Sequence, residues 1–269
     1  MSARKPGLTL TSLYMMIRIH LKKRVRIVKA IKKLLDTDPT HGNTKVAKTA
    51  AFETSLGPVR LASLSLLPND TLCPGSKAAG CMKPCLKESG LAAVFGSINK
   101  ARQAKTNFWQ ADQSGFLDQL RRELTNFSKL CRKQGVQGVV RLNVLSDIQW
   151  ERHGIPQAFP DLFFLDYTKL AKRLGKTPAN YHLIFSYSDR KQYAKQVERA
   201  EKTDAPIAVV FKNGMPTEYR GRPVIDGDRS DILNALAGPV VIGLKAKGPA
   251  KNDAAGFVVD TNLIVRVAA

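Results

Sequence analysis

Residues 139–147 of the chain read VVRLNVLSD, a short apolar run followed directly by polar side chains. Similar apolar runs recur at 162–165, 181–185, 207–211 and 240–243, with polar or helical stretches between them. Near-continuous apolar runs of this length are typical of strands that are buried on both faces, and their alternation with helical segments predicts parallel βα units. The sequence therefore predicts an α/β fold whose main element is a parallel sheet.

Polar residues follow several of these runs, at the end where a parallel sheet binds its ligands. Asn143, Ser146 and Asp147 follow the first run, and Ser186 ends the third. We expect these four side chains to line one pocket and to hydrogen-bond the polar groups of a cofactor. Ser and Asp also serve as turn residues and helix caps, which is the alternative for each of them.

Two lysines occupy similar positions and are candidates for substrate binding. Lys169 follows the second run and Lys245 follows the fifth. An ammonium group at the rim of the sheet can bind an anionic substrate or a phosphate. The alternative is that both lysines are solvated rim residues.

A second distinctive stretch, residues 73–85, reads CPGSKAAGCMKPC and holds three of the four cysteines. Cys73, Cys81 and Cys85 are separated by seven and three residues in a loop rich in Pro and Gly. Thiolates are soft ligands that suit iron-sulfur clusters and zinc. Three ligands favour a 4Fe-4S cluster with one open iron, because a structural zinc usually has four. Zinc remains an alternative if it recruits a further ligand from Cys131, His41, His153 or His182. Three ordinary reduced thiols are the other alternative.

The N-terminal region is strongly basic. The chain has 43 Lys and Arg against 22 Asp and Glu, a formal charge of +21, and residues 1–35 hold ten of the basic residues and no acidic one. Apolar residues recur at helical spacing over residues 14–35, which predicts a basic amphipathic helix. Such a helix can bind nucleic acid or another polyanion, or can be a solvated appendage. We place a domain boundary after residue 41, which leaves an α/β domain at 42–269.

Other features bound the class of protein. Charges interrupt the N-terminal apolar residues, so a secretory signal is not expected, and no apolar run is long enough for a transmembrane segment. Four cysteines in 269 residues are too few for a disulfide scaffold. These features predict a soluble protein of a reducing, cytoplasmic compartment. Helices are predicted at 97–110 and 115–134.

A series of short motifs resembles the phage and mobile-element proteins called gene product 88-like. In chain order the motifs are CPGS, GC, PCL, INKARQAKTNFW, RLNVLSDIQWE, FLDYTK, YHLIFSYSD, AVVF, RPVIDGD, VIGLKAKG and GFVV, which together span about residues 42–260. The resemblance implies a cysteine-rich loop followed by a partial βα barrel, similar in plan to radical S-adenosylmethionine enzymes. Those enzymes use a C-x3-C-x2-C loop, and the cysteine spacing here is longer. For a phage-encoded protein, the compartment is the host cytoplasm.

The resemblance and the cysteines together predict an iron-sulfur protein. If the protein is an enzyme, the expected chemistry is reductive cleavage of S-adenosylmethionine to start a radical reaction. The competing interpretation is a nonenzymatic nucleic-acid-binding protein with a structural zinc or cluster, which the positive charge favours. A barrel that has lost its chemistry and serves as an interaction protein is a third possibility.

Overall fold

The computed structural model describes residues 31–37, 55–88 and 90–263, which form a mixed α/β fold. Its nine strands are β1 (Val59–Ser63), β2 (Gln137–Arg141), β3 (Phe163–Thr168), β4 (Tyr181–Ser186), β5 (Ile207–Lys212), β6 (Glu218–Tyr219), β7 (Arg222–Asp226), β8 (Val241–Lys245) and β9 (Val258–Asp260). Its α-helices are α1 (Ser76–Ala79), α2 (Leu91–Val94), α3 (Gly96–Ala111), α4 (Gln113–Gln134), α5 (Ile155–Ala158), α6 (Ala194–Glu201) and α7 (Asp231–Leu236). Short 3-10 helices lie at Leu86–Glu88, Trp150–His153, Ala171–Arg173, Lys191–Tyr193 and Gly248–Asn252.

The predicted elements are confirmed where the sequence pattern is strongest. Strands β2, β3, β4, β5 and β8 overlap the five apolar runs, and α3 and α4 match the two predicted helices to within two residues at each end. The residues at the two ends of α4 explain why this helix begins and ends where it does. Asp112 caps its start by accepting a hydrogen bond from the Gly115 N–H, and Gly135, at φ 62°, ends it in the left-handed conformation.

The sheet is mostly parallel and open, with the strand order β1-β2-β3-β4-β5-β8-β7-β6, and β9 pairs with β5. The parallel α/β class is confirmed, but the sheet is not closed into a barrel. The two edges of the described sheet end differently. Asp36 bridges to Ser63 on the outer side of β1, and the antiparallel β6–β7 hairpin ends the parallel series at the other edge.

Helices pack on both faces of the sheet. One face carries α7, whose Ile232 and Ala235 join a buried cluster with alternate residues of the central strands, which are Val139, Leu165, Ile184, Ala208 and Ile242. The other face of β2 packs against α4. A Cβ on Gly138 would lie 2.5 Å from Leu162 Cδ2 and 3.1 Å from both Cys131 Sγ and Phe127 Cε1, so only glycine allows this close approach. Cys131 is therefore a packing residue in this structure.

Residues 31–37 are not helical, so the predicted basic helix does not extend to Leu35. The backbone N–H groups of Leu34 and Leu35 donate to the Glu123 carboxylate on α4, and Lys105 Nζ on α3 donates to the Leu34 carbonyl at 2.6 Å. These hydrogen bonds use the backbone N–H and C=O groups that would otherwise be hydrogen-bonded within a helix. Residues 1–30, which hold the remainder of the predicted helix, lie outside the described part of the chain.

The described residues from Lys33 onward belong to one compact unit. Residues 38–54 lie outside the described ranges, so the division after residue 41 stays a prediction. Within the described ranges, no helix combines the length and the apolar character needed to cross a bilayer.

Candidate functional site

The segment that carries three cysteines, residues 73–85 (the cysteine segment), lies against the ends of β2, β3 and β4, which we term the carboxyl edge. The chain that leads into it pairs with the loop after β2, where the Asp147 N–H donates to the Leu72 carbonyl at 2.7 Å. The Cys73 thiol donates to the Leu145 carbonyl at 3.4 Å. The cysteines therefore lie at the end of the sheet where parallel α/β proteins bind ligands.

The cysteine segment also contacts the residues that follow β3 and β4. The Ser188 hydroxyl, beyond β4, donates to the Ala79 carbonyl of α1 at 2.7 Å. Gly75 lies directly on Lys169, and a Cβ at position 75 would be 2.6 Å from Lys169 Cβ. The CPGS motif therefore needs its glycine so that the segment can approach the end of β3.

We expect Gly75→Ala to destabilise the protein by about 1–3 kcal/mol, because the added methyl group overlaps a side chain held by its own backbone contacts. Gly96→Ala is the matched control, since a Cβ there meets no atom within 4 Å. Urea unfolding of both variants measures the difference. Equal unfolding free energies would show that the segment does not rest on Lys169.

The three thiols of the segment interact with one another. The pKa of Cys73 is raised to about 12, chiefly by burial and also by the Asp147 carboxylate and the other two thiols, whereas Lys169 lowers it. Burial likewise raises the pKa of Cys85, and Cys81 adds to that effect. Cys73 and Cys85 are therefore protonated near neutral pH in the absence of a metal, and binding one would release protons.

The donor chemistry of the segment fits a thiolate-bound metal. All four cysteines of the chain are free thiols, and Cys73, Cys81 and Cys85 are each partly exposed. Among the described residues, however, no group of three or more His, Cys, Asp or Glu side chains is arranged to hold a metal ion. The cysteine segment thus provides thiols that are suitable metal donors, but the described residues do not form a complete coordination site.

Asn143 and Ser146, predicted to bind a cofactor, are buried and already hydrogen-bonded. Asn143 Oδ1 accepts from the Ser146 hydroxyl at 2.8 Å, from the Ile148 N–H at 2.9 Å and from Trp150 Nε1 at 3.2 Å. Its amide nitrogen donates to the Ile148 carbonyl at 2.9 Å. These side chains hold the loop after β2 in shape, and a binding role for them stays a prediction.

Asp147 joins the loop after β2 to the end of β3. Its Oδ2 accepts from the Lys169 N–H at 2.8 Å, and its Oδ1 accepts from Arg173 at 2.7 Å. Burial raises the pKa of Asp147, and the charge of Arg173 opposes that rise. In this arrangement Asp147 positions Lys169 and influences Cys73 without presenting a free oxygen.

The structure brings Lys169 and Ser186 together and separates them from Lys245. Lys169 Nζ donates to Ser186 Oγ at 2.5 Å, beside the cysteine segment. Lys245 ends β8, which is separated from β4 by β5, and its backbone N–H donates to Asp228 Oδ2 at 3.1 Å. Lys169 and Ser186 therefore belong to the candidate site, whereas Lys245 is hydrogen-bonded to Asp228 beyond β5.

Sequence reasoning missed several residues near the cysteine segment. Arg102, in the INKARQAKTNFW motif on α3, interacts electrostatically with Cys85, and its Nε is buried without a partner. The Ser76 hydroxyl, in the CPGS motif, is also buried without a hydrogen bond. Both residues lie within motifs that resemble the family, and this was the feature of the sequence that could have indicated them. They were missed because neither residue follows a strand.

A buried carboxyl at the carboxyl edge, Asp166 on β3, was also missed as a site residue. It accepts from the Asn143 N–H at 2.7 Å and from the Tyr181 hydroxyl at 2.8 Å. Burial raises its pKa to about 7 despite these bonds. A carboxyl whose pKa is raised in the folded state stabilises the fold most when it is protonated.

We therefore expect Asp166 to make stability fall as the pH rises from about 4 to about 7, by on the order of 1–4 kcal/mol. Its contribution is complete below the unfolded pKa and is lost as the pH passes the folded value. Urea unfolding at pH 5 and pH 7.5 measures it as the difference between wild type and Asp166→Asn. If the variant shows the same pH dependence as wild type, Asp166 is ionised throughout this range.

A mostly parallel, open α/β sheet with a cysteine-bearing segment packed on its carboxyl edge defines the structural class of the protein. Residues 32–261 match the family model described as gene product 88. The chain therefore belongs to the gene product 88 family, a family of phage proteins. The match begins at residue 32 and so includes Leu34 and Leu35, which the fold buries. Comparisons with curated proteins and with solved structures give no significant match.

Proposed function

We propose that this phage protein binds a metal centre through Cys73, Cys81 and Cys85 at the carboxyl edge, and that the centre is an iron-sulfur cluster. The observation that carries the proposal is the packing of the cysteine segment on the carboxyl edge, where the Cys73 thiol donates to the Leu145 carbonyl and the Ala79 carbonyl accepts from Ser188. A reducing compartment such as the host cytoplasm would keep these thiols available as ligands.

The number of cysteines favours a cluster over zinc. A structural zinc site usually has four protein ligands, and the fourth cysteine, Cys131, is buried between α4 and β2. His153 and His182 are likewise engaged elsewhere, in ring contacts with Trp109 and Phe163, and His41 lies outside the described residues. Three cysteines suffice for a 4Fe-4S cluster with one iron left open.

An open iron supplies the chemistry of reductive S-adenosylmethionine cleavage when that cofactor is bound, and this is the enzymatic form of the proposal. The residues of the chain would bind and orient. Lys169 and Ser186 are the polar groups at the edge to which we assign contact with a ligand. Asn143, Ser146 and Asp147 would keep the edge in place beneath it.

Anaerobic purification followed by an ultraviolet-visible spectrum and by iron and zinc analysis tests the proposal. We expect a brown, oxygen-sensitive protein that contains iron and sulfide. Stoichiometric zinc without iron would show that the metal centre is zinc and would contradict the cluster. Protein without either metal would contradict the whole proposal. Calorimetry with S-adenosylmethionine on the iron-loaded protein then tests the enzymatic form.

The second candidate function is nucleic-acid binding, favoured by the charge of +21 and by the ten basic residues of 1–35. Each phosphate contact that is lost should flatten the log-log salt dependence of binding by about 0.9 for duplex DNA. Fluorescence anisotropy with a DNA duplex therefore tests Lys22, Arg26 and Lys29 changed together to Gln in the full chain. An unchanged slope would exclude these residues from the binding surface.

A further inference from the structure

The ammonium group of Lys169 forms no ion pair with a described carboxylate. Its Nζ donates to Ser186 Oγ at 2.5 Å and lies 4.7 Å from the centre of the Phe257 ring. Asp147 interacts with this charge, but its carboxylate accepts hydrogen bonds from the Lys169 backbone N–H and from Arg173 instead. The cation thus faces a hydroxyl, an aromatic ring and the thiols of the cysteine segment.

Two well-buried arginines of this fold have carboxylate partners. Arg173 pairs with both Asp147 and Glu151, and Arg141 pairs with Asp231. A charge withdrawn from water is costly unless an opposite charge or several hydrogen bonds compensate for it. The half-buried ammonium of Lys169 therefore lies where an anion from outside the protein would supply the missing compensation.

The groups around Lys169 also fix its position. Its carbonyl accepts from the Tyr193 hydroxyl at 2.7 Å, which anchors the backbone that carries the side chain. Because Ser186 Oγ accepts from Lys169 Nζ, the Ser186 hydroxyl hydrogen remains available for a further acceptor. The Phe257 ring covers one side of the ammonium and reduces its access to water. A cation, a hydroxyl donor and an apolar wall form a suitable receptor for an anionic oxygen group.

We propose that Lys169, Ser186 and Phe257 form a subsite for an anionic oxygen group, a carboxylate or a phosphate, of a small molecule bound at the carboxyl edge. The proposal rests on the proposed function in one respect, because it assigns this group to the molecule that binds beside the cysteine segment. It names the chemistry by which that molecule is recognised, and it assigns no part to Lys245.

Titration of the full chain with inorganic phosphate and with acetate, followed by NMR or calorimetry, tests the subsite. We expect wild type to bind one of these anions with a millimolar Kd and Lys169→Gln to bind it about ten-fold more weakly. Ser186→Ala keeps the charge and removes the hydroxyl, so it should weaken binding by a smaller factor. Lys83→Gln is the matched control, because Lys83 is an exposed lysine of the same cysteine segment.

The outcomes separate this proposal from that of the metal centre. Weaker anion binding in both site variants, with the Lys83→Gln control unchanged, would support the subsite. Failure of wild type to bind either anion, or equal binding by wild type and Lys169→Gln, would overturn it. Metal content is measured on the same samples. Anion binding without metal would contradict only the metal proposal, whereas metal without anion binding would contradict only the subsite.

Discussion

Replacing Arg173 by Met is expected to lower the free energy of unfolding by about 3–5 kcal/mol, because it leaves the buried carboxylate of Asp147 and the partly buried carboxylate of Glu151 without their cation. The Arg173 side chain is 2% exposed, and its guanidinium donates to Asp147 at 2.7 Å and to both oxygens of Glu151 at 2.8 and 2.9 Å. It also donates to the Thr168 hydroxyl and the Tyr181 hydroxyl. The substitution therefore removes the central donor between the loop after β2 and the end of β3.

Urea unfolding of Arg173→Met at pH 7 measures this loss. Arg152→Met is the matched control, because Arg152 is an exposed arginine of the neighbouring 3-10 helix and should change stability by no more than about 0.5 kcal/mol. If Arg173→Met unfolds like the control, the buried pairs do not hold the carboxyl edge together. A stable variant with reduced metal content would instead assign Arg173 a role in positioning the site.

Asp231→Asn is expected to destabilise the protein by about 3 kcal/mol, since it removes the charge that compensates Arg141. Arg141 donates to Asp231 at 2.6 Å, and the Tyr167 hydroxyl donates to the other carboxylate oxygen at 2.9 Å. Asn234 in turn donates to the Tyr167 hydroxyl at 3.0 Å. We expect the lower end of the usual range because the side chain of Arg141 keeps 12% exposure.

The cluster of Arg141, Tyr167 and Asp231 attaches α7 to the strands beneath it, so thermal unfolding of Asp231→Asn should occur at a lower temperature than that of wild type. Asp204→Asn is the control, because Asp204 is exposed at the end of the chain segment that follows α6. Equal stability of the two variants would mean that Arg141 is solvated by water in place of the carboxylate.

The parallel sheet could be predicted because each of its central strands corresponds to a continuous apolar run in the sequence that is bounded by polar residues. The openness of the sheet could not be predicted in the same way. The segments at its two edges, Asp36 beside β1 and the hairpin of β6 and β7, carry no strong apolar pattern that would indicate how the series of strands ends. The end of the predicted basic helix was misplaced for a similar reason, since Glu123, 88 residues away, binds the Leu35 N–H.

The candidate site likewise has features that could be predicted from the sequence and features that could not. The position of the cysteine segment at the carboxyl edge, and the proximity of Lys169 to Ser186, follow from the rule that parallel strands end together. The state of Asn143 and Asp147 does not follow from that rule. Their hydrogen-bond partners Trp150 and Arg173 lie in short 3-10 helices. No residue spacing in the sequence indicates that these two side chains point inward and donate to Asn143 and Asp147.

Metal content of the four single Cys→Ser variants, purified without air beside wild type, tests the central claim most directly. The account predicts that Cys73→Ser, Cys81→Ser and Cys85→Ser each lose most of the bound iron, because the three thiols share one centre, while Cys131→Ser keeps it, because Cys131 packs between α4 and β2. Full iron content in any of the three segment variants, or loss of iron only in Cys131→Ser, would contradict it.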